Sequence, residues 1–324
     1  MNVRRLIPGT AVAAATALGL ATLSACSDES AAAGNTEKFD VVASFYPMAF
    51  LAERIGGDHV KVSSLTQPGQ EPHDLELSAK QRVQVEEADA VLYLKNLQPS
   101  VDDTVAQAGV KTKIDAAELT SLEEHGTEVG GHAAEHEEEH EGEGHEHEEE
   151  GGLDPHVWLD PVKYAEVAKG VGAAFEKADP DHAADYKKNT AALVSELGAL
   201  NTKFETGLAN TKTKVFITTH AAFGYLAERY GLTEEAISGL DPESEPSAAR
   251  VKDLEKMAEA DGVTTVFYET LVSDRTAKTI AKDAGLKTDV LDPIEGITEK
   301  SRGKDYFAVQ EANLKALQAA LGTK

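Results

Sequence analysis

Short apolar, often β-branched runs alternate with amphipathic stretches along most of this 324-residue chain, the pattern of βαβ units built on parallel strands. Residues 40–44 predict a first strand, and a helical pattern through Phe50, Leu51 and Ile55 follows it and stops at Gly56-Gly57. Residues 59–65 read as a second strand, 78–87 as a helix, and 90–94 as an apolar run suited to a strand buried on both faces. Residues 162–178 are helical. The longest helical signal, 180–208, places Leu193, Leu197, Leu200, Phe204 and Leu208 at spacings of four, three, four and four, one apolar stripe on one face. About thirty residues at roughly 1.5 Å each make a rod of about 45 Å. Alternation then restarts, with strands predicted at 214–219, 263–268 and 288–291 and helices running up to Tyr230 and over 247–260, 273–284 and 306–321. The expectation is an α/β protein of two halves on one long helix, with no sequence repeat linking the halves.

The N-terminus departs from this pattern. Arg4 and Arg5 precede an apolar stretch of about fourteen residues, too short to span a membrane but suited to a secretory signal core. Leu23-Ser24-Ala25-Cys26 resembles the lipobox of bacterial lipoproteins, which predicts a signal peptide over 1–25 and acylation of Cys26. Cys26 is the only cysteine, so no disulfide forms within the chain and no catalytic thiol is available elsewhere. Residues 26–38 then form a lipidated flexible tether, holding the protein on the outer face of the cytoplasmic membrane. Roughly 285 residues remain, enough for an N-terminal lobe over 39–178, a linking helix over 179–209 and a C-terminal lobe over 210–324.

Charge changes the picture next. The formal net charge is −26, and one segment, 118–151, contributes fourteen Glu with no Lys or Arg. Such a composition cannot bury a core, so a disordered loop is expected inside the N-terminal lobe. A solvated acidic linker would explain the Glu but not His125, His132, His136, His140, His145 and His147, which make an auxiliary metal-binding loop. Nucleic acid is excluded as a partner by the acidic balance.

Ligands in open α/β sheets bind beyond the carboxyl ends of strands. Four residues fall at such places. His220 follows the strand at 214–219, Asp292 follows that at 288–291, and His73 lies in the loop Pro68-Gly69-Gln70-Glu71-Pro72-His73-Asp74. His156 lies in Asp154-Pro155-His156-Val157-Trp158-Leu159-Asp160-Pro161, where two prolines restrict the backbone. Three imidazoles and a carboxylate suit tetrahedral Zn²⁺. Glu71 is an alternative fourth ligand. Glu269 reads equally as a support for a ligand imidazole or as an ion-pair partner of Arg275 or Arg250. Trp158 and Phe223 read as packing residues and Asp160 as a loop-orienting group.

In this order, the lipobox, the 68–74 loop, the His/Glu-rich insert, the 154–161 motif, the long helix, the 219–226 motif and Leu291-Asp292-Pro293 resemble the zinc-specific solute-binding lipoproteins of ABC transporters. The resemblance spans nearly all of the chain from Phe39 onward. It implies two (βα)₄-like lobes joined by one rigid helix, with the metal in the cleft between them. It also implies His73, His156 and His220 as ligands with Asp292 fourth, Zn²⁺ as the transported ligand, a membrane ABC permease as partner, and a monomer that is not an enzyme. Manganese-binding relatives usually carry Glu where His220 stands, and the imidazole favours zinc. A manganese or iron receptor, an adhesin of the same fold and an extracytoplasmic zinc hydrolase are the alternatives. No His-Glu-x-x-His helix supports the hydrolase.

Overall fold

The computed structural model describes residues 38–125 and 152–323; the signal segment, Cys26 and the loop histidines from His132 to His147 lie outside them. The first lobe contains β1 (Phe39–Ala43), α1 (Tyr46–Gly56), β2 (Val60–Ser64), α2 (Ala79–Glu87), β3 (Ala90–Tyr93), α3 (Pro99–Gln107) and β4 (Thr112–Asp115). Two helices follow, α4 (Pro161–Ala178) and α5 (Ala183–Leu208). The second lobe contains β5 (Val215–Thr218), α6 (Gly224–Tyr230), β6 (Thr233–Ala236), α7 (Ala248–Ala260), β7 (Thr265–Tyr268), α8 (Arg275–Asp283), β8 (Lys287–Val290) and α9 (Tyr306–Leu321). Each lobe has a four-stranded parallel sheet, ordered β2-β1-β3-β4 in one and β6-β5-β7-β8 in the other. The α/β architecture read from the alternation holds, and the two sheets repeat one strand order without sharing sequence.

Sequence chemistry fixes where helices begin. Ser78 and Gln81 form a reciprocal capping box on α2, and the side chains of Ser247 and Asp305 accept from the first turns of α7 and α9. Pro161 opens α4, and Asp160 accepts from Val162 N. The predicted stripe of α5 is buried as Leu193, Leu197, Leu200, Phe204 and Leu208, extended by Tyr186 and Thr190. A single 3-10 turn at Pro180–His182 precedes it, so the helix proper has 26 residues, a rod of about 39 Å.

The lobes do not hang on a flexible hinge. One apolar core runs from Val41 and Leu92 of the first sheet, through Trp158 and the buried face of α5, to Phe216, Leu291 and Leu317 of the second lobe. Smaller clusters cover the other faces of each sheet. The segment around residues 154–160 is tied to the second lobe by hydrogen bonds. Trp158 Nε1 donates to Pro293 O at 2.7 Å, Tyr306 Oη to Trp158 O at 2.6 Å and Tyr225 Oη to Asp154 O at 2.8 Å. Arg229 donates twice to Asp160 Oδ2, at 2.8 and 2.6 Å. Asp160 thus caps a helix and pairs across the lobes, more than the loop-orienting role expected of it.

Three elements had no signal in the sequence pattern: α3, β4 and β6. Strands β4 and β6 are sheet edges of sequence Thr-Lys-Ile-Asp and Thr-Glu-Glu-Ala, without the apolar run that marks a central strand. Glu235 of β6 is buried against Arg250, whose guanidinium also donates to Ala236 O, so a charge pair does there what side-chain apolarity does elsewhere. None of the helices among the described residues is long and apolar enough to cross a membrane.

Trp158 is fully buried, packed edge-on to Phe45 at 5.0 Å. Trp158→Ala should therefore cost about 3–5 kcal/mol of stability, read as a lower urea midpoint at unchanged slope.

Candidate metal centre

Each lobe sends two groups into the cleft. Gly69, at φ +83°, turns the loop after β2. Gln98 Nε2 donates to Pro72 O at 3.1 Å, and Glu71 Oε1 accepts from His73 N at 2.9 Å, which together fix His73. His156 is held from within its own motif, because Asp154 Oδ1 accepts from both His156 N at 2.9 Å and His156 Nδ1 at 2.7 Å. His220 follows β5, and its Nδ1 lies 2.8 Å from Glu269 Oε1, an oxygen that also accepts from Thr219 Oγ1 at 2.7 Å. Asp154 and Glu269 orient the His156 and His220 rings so that both Nε2 atoms face inward. Glu269 therefore supports the His220 imidazole; Arg250 is engaged with Glu235 instead.

The fourth group facing the three rings is Glu295, not Asp292. Glu295 Oε1 lies 3.3 Å from His73 Nε2, 3.4 Å from His156 Nε2 and 3.6 Å from His220 Nε2. Asp292 builds the turn that presents it. Its Oδ1 accepts from Ile294 N at 2.8 Å and its Oδ2 from Thr270 Oγ1 at 3.2 Å, while Asn313 Nδ2 donates to its carbonyl at 2.7 Å. The turn also places Ile294 at φ +60°, a left-handed conformation that strains a β-branched residue. Glu71 stays beside the centre, its Oε1 held by the His73 amide. Spacing along the chain could not reveal Glu295, since a strained turn separates it from the strand end. The one available signal was a lone carboxylate inside the apolar run Ile294-Glu295-Gly296-Ile297.

The distances have a chemical meaning. Zn²⁺ bonds to imidazole nitrogen and carboxylate oxygen are about 2.0–2.2 Å, and a tetrahedron of that size has donor–donor edges of about 3.3–3.6 Å. His156 Nε2, His220 Nε2 and Glu295 Oε2 are buried without hydrogen-bond partners. Buried polar atoms are ordinarily paired, so two orphaned ring nitrogens facing Glu295 Oε1 at 3.4 and 3.6 Å fit a cation. The donor set of three nitrogens and one oxygen fits Zn²⁺.

Protons stand in for a cation when none is bound. Burial pulls the His156 imidazole down, but the carboxylates of Asp154 and Glu295 outweigh that and set it at about 9. Burial likewise opposes charge on His220, and Glu269 and Glu295 together hold it well above the usual histidine range. Burial would raise Glu295, yet the three imidazoles hold it well below the usual carboxylate range. Burial first, and the charge of Glu295 second, push Glu71 up to about 8. Burial likewise lifts Asp292 to about 6.

Of the other expected site residues, His125 is within the described part and bonds to the second oxygen of Asp154. His132, His136, His140, His145, His147 and Cys26 are outside it.

The profile of the zinc-uptake complex component A, periplasmic (ZnuA) family matches residues 41–320. A zinc-binding lipoprotein AdcA of Streptococcus pneumoniae serotype 4 is 37% identical over 306 residues, which is 91% of this chain and 58% of AdcA. The chain thus spans little more than half the length of that relative. The high-affinity zinc uptake system protein ZnuA of Bacillus subtilis strain 168 is 35% identical over 322 residues, covering 94% of this chain and 98% of its own length. The crystal structure of the Zn(II)-bound ZnuA-like domain of S. pneumoniae AdcA superposes with a TM-score of 0.70 at 35% identity, covering 88% of this chain and 99% of that domain.

Glu295 and Asp292 have separable roles. Glu295→Gln should weaken metal binding by more than the roughly 10–100-fold that loss of a supporting carboxylate costs. Asp292→Asn should lower stability with a smaller effect on affinity. Chelator-competition titration and thermal melting of both variants test this; equal losses of affinity would return Asp292 to the ligand set.

Proposed function

Because the chain belongs to the ZnuA family of periplasmic zinc-uptake components, we propose that it is an extracytoplasmic receptor that binds one Zn²⁺ through His73, His156, His220 and Glu295 and delivers it to a membrane ABC permease. The observation that carries this reading is the convergence of three Nε2 atoms on Glu295 Oε1 at 3.3, 3.4 and 3.6 Å, the length of a donor–donor edge around zinc. Lipidation at Cys26 would tether a monomer to the outer face of the membrane, and the His/Glu-rich segment would gather cations near the cleft.

Binding and release, rather than bond chemistry, is the mechanism the donor set supports. Catalytic zinc keeps a coordination position open for water, and four protein donors close it. Imidazole at His220 in place of a carboxylate also favours zinc over manganese. With one apolar core joining the lobes, release falls to the loops that carry His73 and Glu295 rather than to wide hinge opening.

Two expectations follow for the metal-bound protein. Zinc at a thousandfold excess over its Kd should stabilise the fold by about 4.1 kcal/mol, seen as a raised melting temperature; a melting point indifferent to zinc would overturn the proposal. The second concerns pH. His156 in the metal-free protein sits at about 9, above its ordinary 6.5, so its bonds stabilise that form fully below 6.5 and the contribution is lost as pH rises through about 9. Zinc needs the neutral ring, so apparent zinc affinity should climb with pH across this window. Calorimetry in buffers of different ionisation enthalpy should detect proton release at neutral pH.

A further inference from the structure

Strand β6 reads Thr-Glu-Glu-Ala, and successive side chains on a strand point to opposite faces. Glu235 goes one way, to Arg250. Glu234 goes the other, to the face that holds Ala236 and its register partner Thr218 of β5. No Lys or Arg among the described residues pairs with Glu234, so its carboxyl has no cation to balance a charge.

That carboxyl spans the turn from which His220 projects. Glu234 Oε2 accepts from Phe223 N at 2.9 Å, just before α6 begins, and Oε1 lies 2.7 Å from Thr218 Oγ1 at the end of β5. Thr218 and Phe223 are both buried. Backbone bonds sew the same turn to the chain around the end of β6. Ile237 N donates to Thr218 O, Ser238 N to Thr219 O and Ala221 N to Gly239 O, each at 2.9 Å. Glu269 fixes the ring of His220, and the β6 side fixes the backbone that carries it.

Hydrogens are the scarce element here. Thr218 Oγ1 lies 2.9 Å from His220 O as well as 2.7 Å from Glu234 Oε1. A threonine hydroxyl has one hydrogen to donate, and a carbonyl has none. Both contacts are hydrogen bonds only if the second hydrogen belongs to the Glu234 carboxyl. Electrostatics point the same way. Burial raises this carboxyl most, the Thr218 bond opposes it, Asp154 adds to the rise and His220 and His156 subtract, leaving it at about 7.

We propose that Glu234 is a positioning residue for the proposed zinc ligand His220, working as a neutral carboxylic acid that donates to Thr218 Oγ1 while Thr218 donates to His220 O. Its other oxygen holds Phe223 N, so the turn is locked at both ends without another negative charge beside Asp154. The competing account is an ionised Glu234 that takes the single hydrogen of Thr218 away from His220 O.

This role rests on the zinc-receptor reading, and the two fail separately because one measurement is made without metal. Infrared difference spectra of the metal-free full chain against Glu234→Gln, recorded below about pH 7, should contain the C=O stretch of a protonated carboxyl. Zinc affinity by chelator competition is the second readout. Glu234→Ala strips both ends of the turn and should weaken zinc by about 10–100-fold, the range for loss of a group that supports a ligand. Gln offers an acceptor to Phe223 N and an N–H to Thr218 Oγ1, the pattern of the neutral acid, so Glu234→Gln should restore the affinity that Glu234→Ala loses. If Glu234→Ala does not fold, Thr218→Val takes its place, removing only the relay hydroxyl, and should also weaken zinc. Absence of the carboxyl band would overturn the proposal, as would a Glu234→Gln protein as weak as the truncated one, or unchanged affinity in Glu234→Ala or its replacement. An unaltered chain that shows the band but binds no zinc would instead overturn the receptor reading.

Discussion

The fold is organised around the cost of taking three imidazoles and a carboxylate out of water together. Isolated, each buried polar group would be destabilising, and the charged ones severely so. The arrangement is tolerable because Asp154 stands behind the His156 ring and Glu269 behind the His220 ring, while the Glu71–amide bond fixes the backbone of His73 and the Asp292 turn fixes the segment that carries Glu295. Those partners come from four different loops. They can meet only if the two sheets keep a fixed separation, which the continuous core and the bonds from Tyr306, Tyr225 and Arg229 to the 154–160 segment provide. Rigidity of the scaffold and electrostatics of the centre are one requirement.

Much of this was legible in the sequence, and the limits of legibility are physical. Periodicity exposes central strands and the α5 stripe because those residues face apolar surroundings on a regular repeat. It does not expose β6, whose burial is balanced by the Glu235–Arg250 pair. At the centre, His73, His156 and His220 stand out because histidine beside Pro or at a strand end is an uncommon choice for packing. The carboxylate was harder. Asp292 occupies the expected place at a strand terminus, but its short side chain is consumed by the Ile294 amide and Thr270, and the group that reaches the rings is Glu295. A turn with left-handed Ile294 decides this, and nothing in one sequence announces that an isoleucine will adopt it.

The two oxygens of Asp154 make a related point about reading supports as well as ligands. A carboxylate two residues before a histidine looks like a local turn former, and Asp154 is that, accepting from His156 N. Its second oxygen faces a residue 29 positions earlier in the chain, at the root of the acidic segment. Such a residue has two dependents, and only the three-dimensional arrangement shows both.

One asymmetry of the centre bears on kinetics. The side chains of His156, His220 and Glu295 are at most 2% exposed, whereas that of His73 is 13% exposed. An ion held by these four donors can be approached by an incoming ligand from one direction only, across the His73 ring. Unassisted departure would leave three desolvated donors facing one another, which is slow. Exchange should then proceed by substitution, an incoming donor binding as His73 lets go, so that the rate depends on the concentration and identity of the acceptor rather than on the equilibrium constant alone. A tightly held ion can in this way still change hands quickly when the right acceptor is docked at that edge.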